Sequence, residues 1–155
     1  MLGRTYDNQN CSVAKTLELV GERWTVLVLR EVFNGHRRFD EMAASLDIAR
    51  NVLTARLAHL TDEGVLHKVR YQDKPARYEY RLTEKGLDLW PVLVTMMQFG
   101  DRHYAPDGPP LTLTHRDCGG AVDAHRLCAR CGARLSARDV RAQLGPGALT
   151  AAAPA

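Results

Sequence analysis

The period of the apolar residues changes from 3.6 to 2 at Gly64, and the segments on either side of this change strongly constrain the fold. Before Gly64, apolar residues recur at helical spacing in residues 39–46 and again in residues 53–60, so each segment has one face to bury. The connection between them, residues 47–50, is very short. Two helices joined this closely must cross at a steep angle, which predicts a helix-turn-helix.

After Gly64, alternation of apolar and polar residues predicts two strands, over residues 65–71 and 77–82. The connector 72–76 contains turn-forming Asp and Pro, so the strands should pair as an antiparallel hairpin. Gly64 itself is expected to end the preceding helix. A basic hairpin in this position is a wing. The expected fold class is therefore a mainly α winged helix-turn-helix, whose second motif helix can enter the major groove of DNA.

Further helices are expected on both sides of this motif. Ser12 can cap a helix over residues 13–20, and residues 23–33 form a helix that is apolar almost all round. A long helix is expected over residues 83–104, with a kink at Pro91. This last helix carries two apolar stripes and needs two surfaces to cover them. A second copy of the chain, packed as a symmetric dimer, would supply one surface.

Composition fits one small domain with an appendage. The chain has 155 residues, of which 45% are hydrophobic, and it contains no apolar run long enough to span a bilayer. Its first residues lack the apolar stretch of a signal peptide, so the cytoplasm is the expected compartment and its thiols should be reduced. The net charge of +3 is too small to indicate nucleic-acid binding by itself, so basic residues must be interpreted by position.

A Cys-rich unit follows a stretch of Pro and Gly that is typical of a linker. Its ligand pattern H-x2-C-x9-C-x2-C is formed by His115, Cys118, Cys128 and Cys131. Two pairs of soft ligands on tight turns are typical of a small zinc ribbon, which predicts one zinc ion per chain. His125 competes with His115 as the fourth ligand. A reversible dithiol formed by Cys128 and Cys131 is the alternative to a metal site.

These composition changes set the expected boundaries. Ser136 and Asp139, at capping-box spacing, also predict a short helix near the end of the Cys-rich unit. The predicted segments are an N-terminal arm (1–10), a winged DNA-binding and dimerisation domain (11–105), a linker (106–110), a zinc-ribbon-like unit (111–145) and a flexible tail (146–155).

The helix-turn-helix and the wing carry the residues expected to contact DNA. The polar side chains of the second motif helix that lie off its apolar stripe are Arg50, Asn51, Thr54 and Arg56. Among these, Asn51 suits adenine and Arg50 suits guanine or phosphate; the alternative is an ordinary solvated face. Backbone phosphates are expected to be held by Arg37, Arg38, Lys74 and Arg77.

Several strings of the sequence match a known bacterial family. They are CSVA (11–14), GERWTVLVLRE (21–31), FNGHRRFDE (33–41), IARNVLTARL (48–57), PARYEYRLTEKG (75–86) and WPVL (90–93). These strings resemble the HxlR-type winged helix-turn-helix transcriptional regulators. The resemblance implies a dimeric operator-binding protein without catalytic activity, often controlling a neighbouring oxidoreductase or detoxification operon. Ala49 stands where a Ser often caps the second motif helix, so Asp47 is the expected cap.

Cys11 lies just before the first predicted helix and outside the C-terminal cluster. Exposed helical amides, and Lys15 one turn further on, would lower the pKa of its thiol. The family resemblance implies a redox or electrophile sensor at this position. The alternative is a small, buried hydrophobic residue.

The leading prediction is a cytoplasmic, homodimeric transcription regulator that is not an enzyme. It would bind an inverted repeat in double-stranded DNA under the control of an oxidant, an electrophile or a small molecule. The first alternative is a zinc-ribbon adaptor that binds RNA or a protein partner. The second is a thiol-disulfide enzyme that uses Cys128 and Cys131, although the sequence lacks the βαβ order of such enzymes.

Overall fold

The computed structural model describes residue 6 and residues 8–148. The chain divides into two compact units between Asp88 and Leu89. The first unit holds the helix-turn-helix and the wing, and the second holds the Cys-rich region. This division differs from the predicted boundary at residues 106–110, because the long helix before those residues belongs to the second unit.

The first unit follows the predicted order of elements. Its strands pair antiparallel, with Leu66 opposite Leu82 and Lys68 opposite Tyr80, and the register shifts by one residue between Arg70 and Gln72. In chain order the elements are α1 (Ser12–Val20), α2 (Arg23–Phe33), α3 (Phe39–Leu46), α4 (Arg50–Asp62), β1 (Leu66–Gln72), β2 (Arg77–Leu82) and α5 (Glu84–Leu87).

The apolar stripes of α2, α3 and α4 form the core of this unit. The apolar side chains that are almost completely buried are Val28, Leu29, Met42, Leu53, Leu57, Leu60, Val65 and Leu66. Burial of one such side chain contributes about 1.5–3 kcal/mol relative to its exposure, so this cluster fixes how α3 and α4 cross. The predicted helical stripes are thereby confirmed.

A charged residue also lies in this core. Glu31 of α2 is 2% exposed, and its carboxylate accepts hydrogen bonds from the Ser45 hydroxyl at 2.6 Å and from Arg30 Nη2 at 2.6 Å. His36 Nδ1 lies 2.6 Å from the same carboxylate. A buried charge is tolerated only when it is paired in this way. The network therefore joins α2, the following turn and α3.

The ends of the motif helices explain the tight turn. Asp47 ends α3 in the left-handed conformation, with φ +48°, and Ala49 precedes the first residue of α4. The expected capping of α4 by Asp47 is therefore wrong. Gly64 follows α4 with φ +68°, and the amides of Gly64 and Val65 donate to the carbonyls of Thr61 and Leu60. This is the expected glycine C-terminus of a helix.

Helix starts differ from the predictions at two other places. Cys11, not Ser12, is the N-cap residue of α1. The single kinked helix expected over residues 83–104 is two helices, because α5 ends at Leu87 and α6 (Trp90–Tyr104) starts separately. Pro91 lies in the first turn of α6, where a missing amide hydrogen costs no hydrogen bond.

The second unit contains α6 and the antiparallel strands β3 (Leu111–His115) and β4 (Val140–Leu144). The predicted linker belongs to this unit, since Gly145 and Gly147 donate backbone hydrogen bonds to Pro110 and Pro109. The expected flexible tail thus begins with hydrogen-bonded residues, and its residues 149–155 lie outside the described part. In the expected N-terminal arm, residues 1–5 and 7 also lie outside it.

The Ser136 and Asp139 pair forms a turn and not the predicted helix. The Asp139 carboxylate accepts from the Ser136 amide at 2.8 Å and from its hydroxyl at 2.6 Å. β4 begins at Val140, directly after this turn. Hydrogen bonds of this kind stabilise a turn as well as the start of a helix. The spacing of Ser136 and Asp139 is therefore compatible with both structures, and the predicted helix is wrong.

Candidate functional site

The outward face of α4 is opposite the buried Leu53, Leu57 and Leu60. Its exposed residues include Asn51 and Thr54 from the predicted set, together with Ala55 and Ala58. Sequence reasoning considered polar residues only and missed the two alanines, although they follow Asn51 at helical spacing of four and seven residues. Small side chains let a helix approach base edges closely, and an alanine methyl suits the methyl group of thymine.

Arg50 starts α4 and is held by two residues of α3. Its Nη1 lies 3.0 Å from Asp40 Oδ1, and its guanidinium carbon lies 4.6 Å from the centre of the Phe39 ring. The Thr54 hydroxyl donates to the Arg50 carbonyl at 2.8 Å, so its proton is used within the helix. Thr54 therefore offers its oxygen lone pairs, and not its proton, to a ligand.

Arg56 is not placed with the other predicted DNA contacts. Its Nη1 lies 3.7 Å from Glu22 Oε2, and its side chain is only 26% exposed. The same Glu22 oxygen accepts a hydrogen bond from the Trp24 amide and so caps α2. The structure thus gives Arg56 a role in linking α4 to the start of α2.

The start of α3 is attached to the wing. The Tyr80 amide donates to the Arg37 carbonyl at 2.8 Å, and Arg38 Nε lies 3.6 Å from Glu79 Oε1. The Arg38 guanidinium also lies over the Tyr71 ring, 4.4 Å from its centre. Both arginine side chains are exposed at this junction.

Glu41 completes the start of α3. Its carboxylate accepts hydrogen bonds of 3.0 Å from the amides of Arg37 and Arg38. Both bonds hold the pKa of Glu41 below its ordinary value, and the bond from the Arg38 amide has the larger effect. The backbone of both predicted phosphate-binding arginines is therefore fixed, while their side chains can adjust.

On the wing, Lys74 and Arg77 are exposed as predicted. Arg70 folds over the tip, where its Nη2 donates to the Asp73 carbonyl at 3.1 Å and its Nε lies 3.1 Å from Asp73 Oδ1. Tyr71 and Tyr78 are also exposed. Both tyrosines fall at apolar positions of the alternating strand pattern. The pattern therefore did not indicate that they lie on the surface.

An open groove of about 520 Å³ lies between α3, the start of α4 and the wing. It brings together three predicted DNA-binding arginines that are far apart in sequence, Arg38, Arg50 and Arg77. Its remaining lining residues are Phe39, Asp40, Glu41, Tyr71, Ala76, Tyr78 and Tyr80. Arginine and tyrosine side chains in one groove offer hydrogen-bond donors to phosphates and flat surfaces to sugars or bases.

Cys11 is exposed, so the reading as a small buried hydrophobe is wrong. The amides of Ala14 and, to a lesser extent, Val13 face its sulfur and hold the pKa of the thiol below its ordinary value. Lys15 acts in the same direction with a smaller effect. A thiol with a lowered pKa on the surface is the reactive kind.

The predicted metal ligands come together in the second unit. The ligand atoms of His115, Cys118, Cys128 and Cys131 all lie within 4.8 Å of one another. Cys118 Sγ is 3.3 Å from His115 Nδ1 and 3.3 Å from Cys128 Sγ. Tetrahedral zinc separates its ligand atoms by roughly 3.5–3.8 Å, so the cluster is close to that geometry. His125 is not part of the cluster.

The backbone beside Cys128 favours the thiolate form of this residue. The amide of Cys131 and, more weakly, that of Arg130 lower the pKa of Cys128 to about 6. Gly120 lies so close to Cys128 Sγ that a β-carbon at this position would clash with the sulfur. The donor set of one histidine and three cysteines is that of a structural zinc site.

Comparisons with known proteins agree with this architecture. The model of the HxlR-like helix-turn-helix family matches residues 19–107. The HTH-type transcriptional regulator Rv3095 of Mycobacterium tuberculosis is 47% identical over 137 residues, which cover 88% of this chain and 87% of the relative. Neither the adaptor nor the thiol-enzyme alternative is favoured by this match.

Solved structures show the same fold. PA1607, a candidate transcription factor, is 38% identical with a TM-score of 0.70, and the match covers 88% of this chain and 96% of PA1607. The redox regulator HypR in its oxidised form is 31% identical with a TM-score of 0.56, over 60% of this chain and 97% of HypR. Among the helices of the described residues, none is long and apolar enough to cross a membrane. This chain belongs to the HxlR-like helix-turn-helix family of DNA-binding transcription regulators.

Proposed function

We propose that the protein binds an inverted-repeat operator as a homodimer and that a chemical signal at Cys11 changes its affinity. The observation that carries the DNA-binding part is the groove beside α4, in which Arg38, Arg50 and Arg77 meet. Residues from three separate elements converge there, next to the exposed face of a helix that can enter the major groove.

Base reading is assigned to the start of α4. Arg50 presents two guanidinium N–H groups that suit the O6 and N7 atoms of guanine, and Asn51 suits the N6 and N7 atoms of adenine. Thr54 and Ala55 extend this face by one turn. The phosphate contacts of Arg37, Arg38, Lys74 and Arg77 would position the helix without reading sequence.

The dimer is proposed to form through α6. Val92, Met96 and Phe99 recur at helical spacing on this helix, and Met96 and Phe99 are 53% and 51% exposed. Together with Pro91, Thr95 and Arg126 they line a shallow, mainly apolar groove of about 600 Å³. An exposed apolar stripe of this kind marks an interaction surface, and a two-fold axis would bury it on both copies.

Regulation is proposed to act through the exposed thiol of Cys11. The similar protein HypR is a redox regulator with oxidised and reduced forms. In this chain, the position of Cys11 at the N-cap of α1 and its lowered pKa support the same kind of chemistry.

The Cys-rich cluster is proposed to bind one Zn²⁺ per chain through His115, Cys118, Cys128 and Cys131. Its role would be structural, since all four positions are filled by protein ligands. The ion would hold β3, which ends at His115, to the turns that carry the three cysteines.

In vitro selection from a random duplex library, followed by footprinting of the selected sequence, tests the DNA-binding proposal. The expected result is an inverted repeat with half-sites one helical turn apart, about 34 Å. Affinity should fall on the order of 10³-fold or more between 50 and 200 mM salt for a dimer with many phosphate contacts. Enrichment of no common sequence, or a monomer on the DNA, would contradict it.

A further inference from the structure

Asp40 lies in the recognition surface, although its charge opposes DNA. It is the second residue of α3, and its carboxylate is 3.0 Å from Nη1 of Arg50, the first residue of α4. Their side chains are 77% and 71% exposed, respectively. A carboxylate in the first turn of a helix stabilises it by roughly 0.3–1 kcal/mol, and an exposed ion pair adds little more, so stability does not require Asp40 to pair with Arg50.

The geometry holds Arg50 on two sides. Phe39 lies beneath the guanidinium at 4.6 Å, and Asp40 accepts a hydrogen bond from Nη1. In the part of the chain that the structure describes, this is the only hydrogen-bonded ion pair of that guanidinium. The guanidinium has five N–H groups, so those not bonded to Asp40 remain for a ligand, and bidentate pairing with guanine needs two of them.

The charge of Asp40 also changes what Arg50 can bind. A phosphate that approaches Arg50 meets the carboxylate at nearly the same place, and the two anions repel each other. The guanine edge has no net charge, so the carboxylate repels its acceptor atoms O6 and N7 far less than it repels a phosphate. The pair therefore favours a base edge over a phosphate as the ligand of Arg50.

We propose that Asp40 is a specificity-determining residue: it positions Arg50 for a base and prevents the same arginine from serving as a general phosphate contact. This inference rests on the proposed sequence-specific operator binding. Asp40 need not touch DNA, so it acts as a positioning residue. A variant without its charge should bind unrelated DNA more tightly and discriminate less.

The experiment compares wild-type protein, Asp40→Asn and Asp47→Asn on two duplexes. One duplex is the sequence selected by the wild type, and the other is a scrambled duplex of equal length and composition. Asp47 is a matched control, because it is exposed at the opposite end of α3, and asparagine tolerates its left-handed backbone with φ +48°. Asp47→Asn removes the same charge but leaves the Asp40–Arg50 pair in place.

For Asp40→Asn we expect tighter binding to the scrambled duplex and a ratio of selected to scrambled affinity that falls roughly fivefold or more. The slope of log affinity against log salt on the scrambled duplex should steepen by about 1, because Arg50 gains a phosphate. Asp47→Asn should shift both affinities alike. In an Arg50→Ala background, Asp40→Asn should change the ratio of selected to scrambled affinity no more than Asp47→Asn does.

Equal behaviour of Asp40→Asn and Asp47→Asn would overturn the inference, as would an effect of Asp40→Asn that persists without Arg50. Both outcomes leave sequence-specific binding intact. Failure of the proposed function is separate, since the wild type would then bind the selected and scrambled duplexes equally.

Discussion

The Ser45 hydroxyl donates a hydrogen bond of 2.6 Å to the buried Glu31 carboxylate and joins α3 to α2 at the edge of the core. Burial by itself would raise the pKa of Glu31. Hydrogen bonds from Ser45, His36 and Arg30 outweigh this effect and hold the pKa below its ordinary value of 4.5. The recognition motif is thus attached to the rest of the domain through an ionised group.

Glu31→Gln should reduce the free energy of unfolding by about 1–3 kcal/mol at pH 7, because charge-assisted hydrogen bonds in the core are lost. Since the folded pKa is lowered, the stabilisation is complete above pH 4.5 and is lost as the pH falls through the folded pKa. Urea unfolding at several pH values between 7 and 3 measures both effects. The wild type should lose more stability in acid than Glu31→Gln, whereas the exposed control Asp62→Asn should follow the wild type.

Substitutions on the DNA face should separate base readers from phosphate contacts. Arg50→Ala and Asn51→Ala should relax sequence preference at one position each, by about 1–3 kcal/mol. Lys74→Ala should weaken selected and scrambled duplexes alike and reduce the salt slope by about 1. Arg56→Ala is the matched arginine control: it should leave base preference unchanged, because its side chain pairs with Glu22. Relaxed specificity in Arg56→Ala would contradict this assignment.

Charge on the exposed face of α6 should break the proposed dimer. Phe99→Asp places a carboxylate in the apolar stripe of both copies, and each buried aromatic ring contributes about 1.5–3 kcal/mol. Light scattering should show a monomer. The operator affinity should also fall, because a monomer contacts only one half-site. Arg102→Asp, on the same helix but not among the residues that line the apolar groove, should remain a dimer. If Phe99→Asp stays dimeric, the interface lies elsewhere.

Oxidant or quinone should change operator affinity of the wild type and leave Cys11→Ser unaffected. The reason is that the amides at the start of α1 lower the pKa of the thiol and so increase the fraction of it present as the reactive thiolate. Titration of the selected duplex before and after treatment measures the effect, and a reductant should reverse it if a disulfide forms. An identical response in Cys11→Ser would place the sensor at another group, with the C-terminal thiols as the next candidates.

Protein purified without chelators should contain about one zinc per chain by elemental analysis. Cys128→Ser should abolish binding, because Cys128 is the buried thiolate of the cluster. His125→Ala should keep the metal, since the cluster uses His115. Metal-free wild-type protein, or equal loss in both variants, would count against this ligand set.

Much of the fold could be predicted because local chemistry decides it. The residues of α2 were predicted at both ends, and Gly64 adopts the positive φ that its position after a helix suggested. The clustering of His115 and Cys118 with two further cysteines could be predicted, because metal-binding residues need fixed spacing on tight turns.

The remaining features depend on neighbours that a sequence pattern does not identify. The periodicity of α4 showed that Arg56 lies off the buried stripe, but not that Glu22 would face it. Pro91 has the same helical surroundings whether it kinks a helix or starts one. Asp40 was missed because its importance comes from a residue ten positions away, across the turn.

The hydrogen bond between the Tyr80 amide and the Arg37 carbonyl has a consequence for the thermodynamics of association. It fixes the wing at a set distance from the helix-turn-helix in the free protein, so neither element has to become ordered on DNA. Binding should therefore lack the large negative heat-capacity change that accompanies coupled folding. The domain would meet its operator as a preformed shape, and a poorly matching duplex would have to deform to fit it.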